Sequence, residues 1–256
     1  MIPSNKWTDV FAQLIGEVKQ NGDLWPARLP AIQVLQDRRY NVSERLIGLG
    51  LLCRELEGLG TDRREADVLG IVERFARLAA SGALKHPVSY DERHDRLQMA
   101  MLTALLISGY HGSLLPRQRQ LVDEFLAGIQ YVDKMPVAEL AARVRSLREH
   151  YWASFERSYS YILENYLVHE AYRIGLPLRP GPFDSYARLV LTFALFVFQL
   201  IGLSGIHHEI TPELAVRVAQ CEARKVQHGG DTVQRMADWL RANESYNLAT
   251  LVILAH

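Results

Sequence analysis

Hydrophobic residues recur at helical spacing along almost the whole chain, and the two-residue alternation that is typical of a strand occurs nowhere. Leu46, Leu49, Cys53 and Leu56, for example, follow one another at intervals of three or four residues and therefore share one helix face. Glycine, proline, asparagine and aspartate separate the periodic segments. The pattern predicts helices at 7–19, 29–38, 41–56, 61–80, 97–108, 114–131, 137–172, 186–203, 211–227, 231–240 and 248–255.

Two of the predicted helices have sequence signals at their first residues. Asn41 stands three residues before Glu44, which is the spacing of a capping box. Thr211 is followed directly by Pro212, a good N-cap residue before proline at the first helical position. We therefore predict helix starts at both places.

The most apolar stretch of the chain is LVLTFALFVFQLIGL at 189–203. A membrane-spanning helix needs about 20 apolar residues. This stretch is shorter and contains the amide of Gln199. It therefore predicts a buried central helix, at about 186–203, and the absence of a membrane segment. The fold class predicted is all-α, with roughly ten helices packed around this helix.

The segment at 175–182 contains three prolines and two glycines, and it is the strongest interruption of the pattern. Its length is that of an ordinary connection between two helices. We therefore predict one helical domain over 1–256, and two lobes that meet near 175–182 are the alternative.

Composition excludes some classes of protein. The chain has 29 basic and 29 acidic residues, without the basic excess of most nucleic-acid-binding proteins. Cys53 and Cys221 lie in apolar helical patterns, as buried reduced thiols do. No signal peptide is recognisable at the N-terminus. These features predict a cytoplasmic protein that binds no nucleic acid. The oligomeric state is not indicated.

Common catalytic and metal-binding motifs are absent from the sequence. There is no GxGxxG, no GxxxxGK[ST] and no GxSxG. His207, His208 and Glu209 are adjacent, and adjacent helical residues point about 100° apart, so a polar helix end is predicted there instead of a metal site. No metal ligands are predicted, and no catalytic residue is identified.

The segment 151–172 is rich in aromatic residues with polar residues among them. A small-molecule pocket needs aromatic faces with a few convergent polar groups. A helical core with satisfied polar groups has the same composition, so both interpretations stay open. The aromatic residues are Tyr151, Phe155, Tyr159, Tyr166 and Tyr172, and the polar ones are Arg157, Glu164, Asn165, His169 and Glu170.

Several stretches, in order along the chain, resemble the flagellin lysine N-methylase family. The resemblance extends from about residue 29 to the end of the chain, and the ordered set is more specific than any one stretch. The stretches are IQVLQDRRY at 32–40, ERLIGLG at 44–50, LENYLV at 163–168, YARLVL at 186–191, LIGL at 200–203, residues 214–228 and SYNLA at 245–249.

The resemblance implies a bacterial protein-lysine N-methyltransferase that acts on flagellin with S-adenosylmethionine as donor. Family members begin with a cysteine-rich region that is thought to hold an iron–sulfur or other metal centre, and this chain has two cysteines. The chain therefore resembles the C-terminal helical region. It is expected to recognise substrate or to serve as a scaffold for the cysteine-rich region, and by itself it would lack part of the enzyme.

Within the matched LENYLV stretch, Glu164, Asn165 and Tyr166 are the predicted substrate-binding residues. A polar network that packs helices together is the alternative role for these three residues. For the whole chain, the alternative function is a non-catalytic helical module that binds a ligand or another protein.

Overall fold

The computed structural model describes residues 22–61, 64–85, 97, 116–177, 181–228 and 232–255. All regular structure in these ranges is helical, which confirms the all-α prediction. The predicted helices at 7–19 and, apart from Leu97, at 97–108 lie outside the described residues. After a 3₁₀ turn at Gly22–Ala27, the α-helices are α1 Arg28–Leu35, α2 Val42–Gly58, α3 Glu65–Ala80, α4 Pro116–Gly128, α5 Val137–Leu147, α6 Ala153–Ile174, α7 Pro182–His207, α8 Pro212–His228, α9 Thr232–Ala242 and α10 Leu248–Ala255.

Both predicted helix starts are confirmed. The Asn41 side chain accepts a hydrogen bond from the Glu44 N–H at 2.9 Å, and the Glu44 carboxylate accepts one from the Asn41 N–H at 2.8 Å. At α8, Thr211 Oγ1 accepts from the backbone N–H of Leu214 at 3.1 Å. These bonds satisfy N–H groups that have no partner within the first turn of a helix.

The predicted helical segment at 137–172 is interrupted. A π-helical turn, Arg148–Trp152, lies between α5 and α6. Further along, Tyr159 has φ −132° and ψ 25°, so α6 is kinked at that residue. A π turn inserts one residue into the helical repeat and changes which side chains share a face. These two irregularities determine the arrangement of the aromatic segment.

The chain divides into two compact units, each made of two separate stretches of sequence. Unit 1 contains Met1–His86 and Ala171–Tyr186, and unit 2 contains Pro87–Glu170 and Ala187–His256. The single-domain interpretation and its two-lobe alternative both stay predictions.

Unit 1 has a leucine-rich core with a few buried polar contacts. The Arg45 side chain is buried, and its guanidinium donates to the carbonyl oxygens of Leu35 at 3.0 Å and Tyr40 at 2.8 Å. A cation is favourable there because the C-terminal carbonyls of α1 carry partial negative charge. From α2, the Glu57 carboxylate accepts from the backbone N–H of Phe183 at 3.1 Å, in the first turn of α7.

In unit 2, α7 is the central element that the sequence predicts. Within the unit it contacts α4 through Phe125 and Phe198, and α6 through Tyr166 and Phe196. By length and composition α7 could cross a membrane, but 89% of its most apolar window is buried within the protein. That burial is typical of a core helix.

Candidate functional site

One candidate site of unit 2 is the carboxylate–aromatic face, which we define as Arg148, Trp152, Glu156 and Tyr159. The Glu156 carboxylate accepts a hydrogen bond from the Trp152 side chain, and Tyr159 lies at the kink in α6 three residues later. All four side chains are half-buried. The face therefore combines one carboxylate with two aromatic rings at a partly accessible surface.

Aromatic contacts hold this face in place. Phe155 is buried, and its ring centroid lies 5.7 Å from that of Trp152 and 5.6 Å from that of Tyr159. The guanidinium carbon of Arg148 lies 5.9 Å from the Trp152 ring centroid. Since this distance allows a cation–π contact, a positive group already lies over this indole.

The electrostatics of Glu156 are unusual for a surface carboxylate. Burial raises the pKa of Glu156, and the effect exceeds the opposing influence of the Arg148 charge and of the hydrogen bond from Trp152. A partly desolvated carboxylate attracts a cation more strongly than a fully hydrated one. The carboxylate–aromatic face therefore offers a carboxylate and aromatic rings to a cation, and it already holds the Arg148 guanidinium.

The three predicted substrate-binding residues do not lie on one accessible surface. Glu164 and Tyr166 are 6% and 8% exposed, whereas Asn165 is exposed. The Tyr166 ring stacks on Phe196 of α7, with centroids 4.0 Å apart and planes 12° apart. Burial favours the packing role for Glu164 and Tyr166, and a role of the three residues in substrate binding stays a prediction.

Other members of the predicted aromatic segment have contacts of their own. Tyr172 belongs to unit 1, where the Arg28 guanidinium carbon lies 5.3 Å from its ring centroid and 5.1 Å from that of Trp25. In unit 2, His169 Nδ1 lies 3.4 Å from the carboxylate of Glu170.

The second candidate site of unit 2 is a cavity of about 190 Å³ between α4 and α8, which we call the α4–α8 cavity. The described residues that line it are two arginines, three glutamines, one leucine and one cysteine, and none of these is acidic. The residues are Arg117, Gln118, Gln120 and Leu121 from α4, and Arg217, Gln220 and Cys221 from α8.

A hydrogen-bonded network beside the cavity orients Arg217. Both terminal nitrogens of Arg217 donate to the Glu124 carboxylate, which also accepts from Gln120 at 2.9 Å and lies 3.2 Å from His207 Nε2. Burial tends to raise the pKa of Glu124, but the bonds from Arg217 and His207 outweigh it and hold that pKa below its usual value. Glu124 is therefore a fixed anion next to the cavity.

S-adenosylmethionine, the donor implied by the resemblance, does not fit the α4–α8 cavity. Drug-sized ligands occupy pockets of about 300–1,000 Å³. The lining also has no aromatic face for a purine, and its two arginines would repel the sulfonium and ammonium charges of the donor.

In the part of the chain that the structure describes, neither a cluster of metal-binding side chains nor a reactive cysteine forms a third candidate site. No group of three or more histidine, cysteine, aspartate or glutamate side chains is gathered there. Cys53 and Cys221 are free and buried, as the sequence predicts. Burial raises the pKa of the Cys53 thiol, so this group is a poor nucleophile.

Sequence analysis singled out the segment 151–172, including Tyr159, but not the Glu156 carboxylate, and it missed the α4–α8 cavity. The four-residue spacing of Trp152 and Glu156 is a signal that could have found the carboxylate–aromatic face. Arg117 and Arg217 are a hundred positions apart in the sequence, and no local pattern indicates that they line one cavity.

Comparison with known proteins agrees with the predicted resemblance. Residues 28–254 match the family described as the FliB lysine N-methylase C-terminal domain. No curated protein and no solved structure matches the chain. Because the match covers far more than half of the 256 residues, this chain belongs to the FliB lysine N-methylase C-terminal domain family.

Proposed function

We propose that this chain is the substrate-recognition part of a cytoplasmic flagellin-type lysine N-methylase. In this role, the carboxylate–aromatic face receives the lysine ε-ammonium group of flagellin. The observation that carries the proposal is the partly desolvated Glu156 carboxylate beside Trp152, in a chain of a lysine N-methylase family.

The chemistry of lysine methylation supports this assignment. A lysine amine attacks a methyl group only after it loses its proton, and burial lowers the pKa of lysine while it raises that of a carboxylate. Burial therefore brings the two pKa values closer together, and Glu156 can hold the ammonium and accept its proton. The rings of Trp152 and Tyr159 would stabilise a methylammonium product by cation–π attraction.

The proposal assigns recognition to the described residues and leaves transfer of the methyl group to machinery outside them. S-adenosylmethionine is the donor by resemblance, and the α4–α8 cavity does not fit it. Accordingly, Glu156 is proposed to bind the ammonium and accept its proton, and the transfer of the methyl group itself is attributed to no residue described above.

Isothermal titration of the purified chain with flagellin, and separately with S-adenosylmethionine, tests the proposal. We expect saturable binding of flagellin and none of the donor. Flagellin with acetylated lysines is the matched ligand, because acetylation removes the charge and keeps the rest of the surface. It should bind at least tenfold more weakly, which corresponds to about 1.4 kcal/mol.

Two variants test whether flagellin binds at the carboxylate–aromatic face. Glu156→Gln should weaken binding of flagellin, while Glu149→Gln, an exposed change in the adjacent π turn, should not. Equal affinity for acetylated and unmodified flagellin would show that lysine is not recognised. Tight binding of the donor would instead mean that methyl transfer involves this chain directly.

A further inference from the structure

We propose that the α4–α8 cavity binds a small anion that presents carboxylate or phosphate oxygens, and that Arg117 and Arg217 supply the positive charge. This inference concerns a different part of unit 2 from the carboxylate–aromatic face, and it does not depend on recognition of lysine.

The described lining of the cavity carries positive charge that is only partly compensated. Its two charged residues among those described are both arginines, and its other polar side chains are three glutamine amides. Among the described residues, no ion pair to Arg117 is present. Arginine forks and amide N–H groups are the donors that planar or tetrahedral oxyanions prefer.

Arg217 is held in position by Glu124. The Glu124 carboxylate accepts from the two terminal nitrogens of Arg217, which restricts the guanidinium. A restricted guanidinium loses less entropy when it binds an anion.

The cavity wall also contains a polar side chain, that of Gln118, which a hydrogen bond holds in place. Gln118 is 5% exposed, and its Nε2 donates to the backbone carbonyl of Cys221 across the two helices at 3.3 Å. This bond joins α4 to α8 at the cavity, so the spacing between Arg117 and Arg217 is set by the fold. A preorganised site binds its ligand with a smaller entropic cost.

Volume limits the ligand to a small molecule. About 190 Å³ is below the range of pockets that enclose drug-sized compounds, and it accommodates an ion such as phosphate or succinate. Glu124 does not line the cavity, although it partly neutralises Arg217. Arg117 therefore contributes most of the remaining attraction.

The test is a titration of the whole chain with sodium phosphate and, in a second series, with sodium succinate, followed by NMR at constant ionic strength. Arg117→Gln is the test variant. Arg119→Gln is the matched control, because Arg119 is an exposed arginine of the same helix that does not line the cavity. The wild type and the control should bind at least one of the anions saturably, and Arg117→Gln should bind about tenfold more weakly.

The two series distinguish the kind of anion, since succinate binding alone would indicate a carboxylate ligand and phosphate binding alone a phosphate ligand. Arg217→Lys is the second variant, which keeps the charge and loses the planar fork, and it should also weaken binding. The proposal fails if neither anion binds saturably, or if Arg117→Gln and Arg119→Gln behave alike. Thermal melts without anion check that each variant is folded.

Discussion

A Cβ atom added to Gly205 would overlap the carbonyl oxygen of Gly128. On the opposite helix, a Cβ atom added to Gly128 would overlap the carbonyl oxygen of Gly202. Real Cβ atoms do not approach other atoms so closely, and backbone atoms cannot move aside as a side chain can. Helices α4 and α7 therefore cross at a distance that only glycine permits.

Gly205→Ala should consequently destabilise the protein by about 3 kcal/mol, the upper end of the usual cost of overpacking. Chemical denaturation measures the loss. Gly70→Ala is the control, since the added methyl group would meet only the end of the Arg74 side chain at 3.7 Å. In a helix interior this second change should be neutral or stabilise by up to about 1 kcal/mol. Similar losses for both variants would contradict the close crossing.

The raised pKa of Glu156 predicts a specific dependence of stability on pH. The folded state binds the proton of Glu156 more tightly than the unfolded state does. The stabilisation from this proton is therefore fully present below the unfolded pKa, near 4.5, and is lost as pH rises through the folded pKa. Glu156→Gln should therefore melt at a higher temperature than the wild type at pH 7 and at a similar one at pH 4.

If Glu156 recognises lysine, the same substitution should weaken binding of flagellin while it stabilises the fold. If Glu156 served only to stabilise the fold, Glu156→Gln would instead destabilise the protein. Glu149→Gln should leave the melting temperature unchanged at both pH values. A lower melting temperature for Glu156→Gln at pH 7 would mean that its contacts with Trp152 and Arg148 outweigh the cost of burial.

The lowered pKa of Glu124 predicts the opposite dependence of stability on pH. The pKa of Glu124 is lowered in the folded state, so its contribution to stability is present above the unfolded value near 4.5 and is lost as pH falls through the folded pKa. Glu124→Gln should reduce the loss of stability between pH 5 and pH 3, as measured by thermal melts. Glu139→Gln, at an exposed pair with Arg143, should change this slope little.

Glu164 and Asn165 are adjacent residues that differ in burial, so they separate the two roles proposed for the matched stretch. Glu164→Ala should cost about 1–3 kcal/mol of stability, because buried polar groups around it would lose a partner. Asn165→Ala should change stability by less than about 0.5 kcal/mol, as is usual at exposed positions. Reduced flagellin binding by a fully stable Asn165→Ala protein would support a substrate surface there, and unchanged binding would argue against one.

Local sequence signals predicted most of the secondary structure. The capping residues Asn41 and Thr211 act through backbone groups within three positions, so their effect can be read directly from the chain. The π turn at Arg148–Trp152 has neither proline nor glycine, and nothing in its composition distinguishes it from a regular helix. The burial of Glu164 could not be predicted either, since it depends on which face of α6 meets other helices.

The bond between Glu57 and the backbone of Phe183 joins residues 126 positions apart. Unit 1 needs both Met1–His86 and Ala171–Tyr186, and the whole of Pro87–Glu170 is translated between them. During synthesis on the ribosome, the first stretch must therefore wait for the second before its core can close. Until then the apolar faces of α2 and α3 remain exposed to chaperones and proteases, so unit 1 is protected only after its second stretch has been made.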